Sequence, residues 1–233
     1  MSERARRKQA DAARQRIMEY NAIRKRGGTP DLADVRTMVF GDDPDVASRA
    51  SALLLLSVAE RREAFDAEVL QLIRAAQSAN LQPRARIFLL WSIAWTRCLY
   101  MLQDFARTQR QPEPGLVAQT AALAEAGFRL DPNSYRTRKA LAFVRCVQDR
   151  DREARDLLIT APIEQLKPTL RSDVLAIRAL AELQMKDIAQ ARRLVNLART
   201  FDQTTGLINV MERIVTAVEQ ESATDSGAEQ PAT

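Results

Sequence analysis

The sequence predicts an all-α fold, and three observations carry that reading. The chain is rich in Ala, Leu, Arg, Glu and Gln, all good helix formers. Its 233 residues include only 7 Gly and 9 Pro, so helical segments are seldom interrupted. Few stretches are rich in β-branched residues, which leaves strands little to build on. At 46% hydrophobic, the chain has enough apolar side chain for a real core, in one large domain or two small ones.

Residues 1–28 read as a basic N-terminal arm. The stretch could form a helix, but Ile17, Met18, Tyr20 and Ile23 are its only large apolar side chains. Gly27-Gly28 ends it, and Thr29-Pro30-Asp31 opens the next segment. A solvated arm and an arm that docks on a partner both fit this pattern.

A helical domain is expected over residues 29–219. A short helix runs from Asp31 to Phe40, stopped by Gly41. Pro44 opens the next, with Asp43 as its candidate N-cap and Val46, Ala50, Leu53, Leu54 and Ser57 on one stripe. In "EAFDAEVLQLIRAAQSAN", Phe65, Val69, Leu72, Ile73 and Ala76 face inward. A long helix follows from Pro83 to about Arg110. Phe88, Trp91, Trp95 and Leu99 share one stripe, with Leu90, Ile93 and Leu102 beside it, so several of its sides should be covered. The Trp91–Trp95 pair reads as core packing ahead of an exposed aromatic patch. "QPEPG" at 111–115 is the clearest loop. Helices are then expected at about 116–129, 134–149, 151–161, 168–185, 187–201 and 205–219. Their short connections force neighbours to pack antiparallel. Residues 220–233, small and acidic, read as a disordered tail.

The net charge of +5 and pI of about 9.6 invite a nucleic-acid reading. The excess is local, however. Residues 1–26 hold nine Lys/Arg against Glu3, Asp11 and Glu19, whereas residues 219–233 hold four acids and no base. The fold between them is only mildly basic, which does not suit a body built around a phosphate backbone. The longest apolar run, "IFLLWSIAWTRCLYML", is broken by Arg97 and flanked by Arg84, Arg86 and Asp104. It is too short and too charged to span a bilayer. The basic N-terminus lacks an apolar h-region, and a cytoplasmic protein is expected. There is no His, and Cys98 and Cys146 both sit in apolar helical patterns, so buried free thiols are expected. No Gly-rich phosphate loop, Cys–His pair or metal-ligand cluster appears, so no enzyme, cofactor or metal is expected.

A repeat emerges toward the C-terminus. Ala154, Leu158 and Ala161 in "EARDLLITA" recur as Ala191, Val195 and Ala198 in "AQARRLVNLA", 37 positions on. Each copy follows a longer apolar helix, "TRKALAFVRCV" or "VLAIRALAELQ". Leu130-Asp131-Pro132-Asn133 is a hard stop between helices, and Leu141-Ala142 pairs a large residue with a small one. Over about residues 116–219 the chain resembles the tetratricopeptide (TPR) helical repeat. It departs from that pattern at Arg138 and Leu175, where an aromatic is expected, at Lys186, where the turn has Gly, and at Gln203, where a Pro stop is expected. Residues 31–110 match less well, although "DPDVASRASALLLL" is similar to the second helix of a HEAT-type repeat.

The resemblance implies an α-solenoid of antiparallel helix pairs, with an irregular helical bundle as the alternative. It further implies a non-catalytic scaffold that binds a protein or peptide on a concave surface lined by first helices. The partner-binding residues it implies are Arg136, Lys139 and Phe143, with Val147 at the margin. Two cations beside an aromatic suit an acidic segment. The alternative function is nucleic-acid binding through Arg4, Arg6, Arg7, Lys8, Arg24, Lys25 and Arg26. Aromatic interleaving there is poor, so such binding would be non-specific and steeply salt-dependent.

Overall fold

The computed structural model describes residues 3–28, 31–159, 163–202 and 206–227, without the side chains of Arg4 and residues 222–227. Among the described residues it is all-helical, with eleven α-helices, one 3-10 turn at Ile163–Gln165 and no strand. The sequence positions Thr29, Pro30, Ala161 and Gln203 lie outside the described residues. The chain divides into two units, Met1–Thr96 and Arg97–Thr233.

The first unit holds α1 (Glu3–Lys25), α2 (Ala33–Met38), α3 (Pro44–Val58), α4 (Arg62–Gln77) and the start of α5 (Pro83–Thr108). Asp43 caps α3 as expected, accepting from the backbone N–H of Asp45 and Val46, with Pro44 at the first helical position. The residues expected to face inward from α3 and α4 do so: Leu53, Leu54, Phe65 and Leu72 are essentially inaccessible. Trp91 and Trp95 are half-buried, and Trp91 meets Phe88 edge-to-face at 5.6 Å.

The segment expected to offer little to bury is a helix seated on its own unit. α1 packs against α3, and Ile17 is 2% exposed. Arg14 reaches both acids at the start of α3, with Nη2–Asp43 and Nε–Asp45 distances of 3.0 Å. Burial opposes ionisation of Asp45, yet hydrogen bonds from Arg49 and Arg14 outweigh it and hold the carboxyl below its usual range. One well-placed apolar residue and one arginine fork thus dock on its own unit a segment whose composition fits a solvated arm and a partner-docking arm equally.

The second unit begins within α5 and continues through α6 (Pro114–Leu130), α7 (Tyr135–Val147), α8 (Asp151–Ile159), α9 (Pro168–Gln184), α10 (Ile188–Phe201) and α11 (Gly206–Gly227). From α6 onward each helix packs on the next, and α7 also meets α9 as α9 meets α11. The small residues of the 37-residue pattern allow this closeness: Ala154, Ala191 and Ala198 are fully buried, with Leu158 and Val195 between them. α7 is capped by Ser134, which accepts from the Arg136 N–H, and α10 by Asp187, which accepts from that of Gln190.

The tail expected to be disordered from residue 220 continues α11 as far as Gly227, and residues 228–233 lie outside the described residues. Arg192 of α10 anchors this helix. It bonds Glu212 at 2.6 Å, Thr216 at 2.8 Å and both carboxylate oxygens of Glu219. Positions 212, 216 and 219 recur every three to four residues, so one face of α11 presents all three acceptors to one guanidinium. The sequence places Glu219 at the expected limit of the last helix; the Arg192 fork ties that point into the fold, and the helix runs on past it.

Candidate functional site

Two regions compete for function: the positions that the repeat resemblance implies, and a cavity that it does not. Arg136 stands exposed in the first turn of α7. Three residues on, Lys139 is buried at 6% exposure, and its Nζ pairs with Asp173 of α9. Burial drives the Lys139 ammonium down from its usual range against the attraction of Asp173, and burial likewise pushes the Asp173 carboxyl up. Phe143 has no exposed surface. Lys139 and Phe143 are therefore corrected as surface contact residues: one joins α7 to α9 and the other fills the core. The positions that the repeat resemblance assigns to a groove here lie along the seam between packed helices.

The proposed nucleic-acid set does not converge either. Arg6, Arg7 and Lys8 are exposed at the start of α1, Lys25 and Arg26 are exposed at its other end, and Arg24 is half-buried. The side chain of Arg4 lies outside the described residues. Lys8 and Arg24 are separated by about 24 Å along the helix, at about 1.5 Å per residue. Between them, Arg14 and Arg16 are engaged by Asp43, Asp45 and Asp34.

The second unit carries a cavity of about 240 Å³. Its walls come from α5 (Met101, Leu102, Phe105), α9 (Leu180) and α11 (Ile214, Val218). Val147, the marginal groove position in the sequence, lines it too. The polar lining residues are Gln111, Asp149 and Gln184. Cys146 lies against the cavity as a fully buried free thiol, and burial raises its pKa far above the usual range, so it is a poor nucleophile.

How helices end decides what stands at this cavity. α7 stops at Val147 and α9 at Gln184, each followed by a residue in the left-handed region: Asp149 at φ +57° and Lys186 at φ +66°. The hydrogen bonds match in both places. Asp149 N–H donates to Cys146 O and Arg150 N–H to Arg145 O; Lys186 N–H donates to Leu183 O and Asp187 N–H to Glu182 O. These are paired Schellman motifs. They stand 37 residues apart, the spacing of the Ala pattern. Gln184 also donates its side-chain N–H to Cys146 O at 3.0 Å, tying the two helix ends together.

Among the described residues there is no group of three or more His, Cys, Asp and Glu side chains that could hold a metal ion. No described helix is long and apolar enough to cross a membrane. Compared with protein-family models, curated proteins and solved structures, the chain matches none.

Proposed function

We propose that the second unit is a protein-interaction scaffold, a TPR-like array that receives a partner on the face formed by α7, α9 and α11. One observation carries this reading. The α7–α8 and α9–α10 pairs share the 37-residue recurrence in both their buried Ala positions and their helix-end motifs, while α7 meets α9 and α9 meets α11. Contacts to the next helix and to the next first helix are those of a stacked array. The cavity on the ends of α7 and α9 gives such a face a place to seat an apolar anchor.

Site-specific photo-crosslinking tests the proposal. A photoreactive residue at Leu183, which lines the cavity, should capture one protein species repeatedly from native lysate. The same residue at Leu197, exposed on α10, should not. Equal capture at both positions, or none at Leu183, would sink the scaffold reading.

The second reading, nucleic-acid binding by residues 1–26, draws on the exposed Arg6, Arg7 and Lys8. A mobility shift at low salt that vanishes with their replacement by Gln would favour it. A full chain that gives no shift removes it.

A further inference from the structure

We propose that the cavity in the second unit binds a small molecule with an apolar chain and a protonated amine. Its size and walls set the first half of that chemistry. About 240 Å³ lined by Met101, Phe105, Leu180 and Ile214 suits a compact apolar body, slightly below the usual range for drug-sized ligands. Nothing along these walls offers a charge.

The charge at the rim is negative. Among the described residues, Asp149 is the only carboxylate that lines the cavity, and no Lys or Arg does. Both α7 and α9 end there, but α8 and α10 begin a few residues on, at Asp151 and Ile188, so the opposite partial charges of these helix ends offset one another. The Asp149 carboxylate therefore sets the sign, favouring a cation and disfavouring an anion. The basic residues beside Asp149 do not cancel this field. Arg150 is held by Glu153 at 2.7 Å, and Arg145 by Glu125 at 2.8 Å. Lys186 is not among the lining residues. Two positions from Asp149, the Oδ1 of Asp151 is buried without a hydrogen-bond partner. Burial, reinforced by the charge of Asp149, pushes that carboxyl above its usual range. The remaining polar rim groups, Gln111 and Gln184, can orient an ammonium through their amide oxygens.

The buried Cys146 thiol, raised in pKa, adds apolar surface and no covalent chemistry, so the binding is reversible.

The test titrates the full-length chain at neutral pH with hexylamine, 1-hexanol and hexanoate, followed by NMR of the methyl groups. Hexylamine should shift the methyls of Leu180, Leu183, Ile214 and Val218 and bind about tenfold more tightly than hexanoate, with hexanol between them. Asp149→Asn should cut the amine's affinity about tenfold and leave hexanol unchanged. Asn tolerates the left-handed conformation at this position, so the variant keeps the helix end intact. Leu180→Trp should weaken all three ligands by filling the cavity, with unchanged helical circular dichroism as its control. Equal affinity for amine and carboxylate overturns the proposal. So does binding of a lysine-bearing apolar peptide where hexylamine leaves these methyls unmoved. Neither result depends on the crosslinking outcome at Leu183, so the two ideas fail separately.

Discussion

One helix of the first unit and two of the second end with the same hydrogen-bond pattern on different residues. In the first unit, α1 closes with Gly27 at φ +80°, Gly27 N–H bonding Arg24 O and Gly28 N–H bonding Ile23 O. In the second, α7 and α9 place Asp149 and Lys186 in that conformation. Glycine reaches positive φ without steric cost, whereas a residue with a Cβ is strained there by about 1–2 kcal/mol. The units also differ in how charge is used. The first docks α1 with partly exposed arginine pairs at Asp43, Asp45 and Asp34. The second buries Lys139 against Asp173 between α7 and α9. Exposed pairs can be lost one at a time, whereas a buried pair fails as a unit.

That contrast predicts the largest effect. Lys139→Met should cost about 3–5 kcal/mol, because it leaves Asp173 buried without its partner. The double variant Lys139→Met/Asp173→Leu should recover most of the loss in urea denaturation followed by circular dichroism. A single variant as stable as the parent would show that the pair is solvated after all, and would reopen Lys139 as a contact residue. Arg14→Met should lower stability less than Lys139→Met does, and slow hydrogen exchange at the start of α3 should become faster.

The helix ends give the next two effects. Gly27→Ala should destabilise the first unit by about 1–2 kcal/mol, as a Cβ enters the left-handed region. Lys186→Gly should go the other way in the second unit, stabilising it by up to about 1 kcal/mol once the added flexibility of glycine is deducted. A loss on Lys186→Gly would mean that the lysine side chain does more there than occupy a turn, and the contrast between the units would narrow.

The smallest effect is a difference in titration. Asp45 has a folded pKa below its ordinary 3.8, so its contribution to stability is present above 3.8 and fades as the pH falls through the folded value. Asp173 has a folded pKa above 3.8, so its sign is opposite: its native form takes up a proton first, and stability from this group rises as the pH falls from the folded value toward 3.8. Carboxyl-detected NMR should find the midpoint of Asp45 below that of Asp173. The reverse order would break the contrast between exposed and buried pairs.

Much of the fold was legible along the chain. Helix-forming composition, Pro44 behind Asp43 and the Ala154/Ala191 recurrence were each realised locally, while the loop expected at 111–115 stops at Glu113 because Pro114 and Gly115 open α6. α1 and the far end of α11 were misread for one reason. Composition scores a segment by itself, whereas Ile17 and Arg14 are satisfied by α3, and Glu219 by an arginine 27 positions earlier.

The candidate site was the least legible part. Arg136, Lys139 and Phe143 lie at plausible helical spacing, yet spacing alone does not separate a groove from a packed seam. Asp149 carried a faint signal, as a short polar residue after a helix that tolerates positive φ.

The sequence by itself determined the helical class, most helix limits and the 37-residue recurrence, because propensity, capping and small-residue spacing act over neighbouring positions. Only the tertiary structure decided which charges are buried and which reach water. It also brought the ends of α7 and α9, 37 residues apart in sequence, to one apolar cavity that Asp149 helps to line. Burial and field depend on what packs from elsewhere in the chain, and no local window of sequence contains that information.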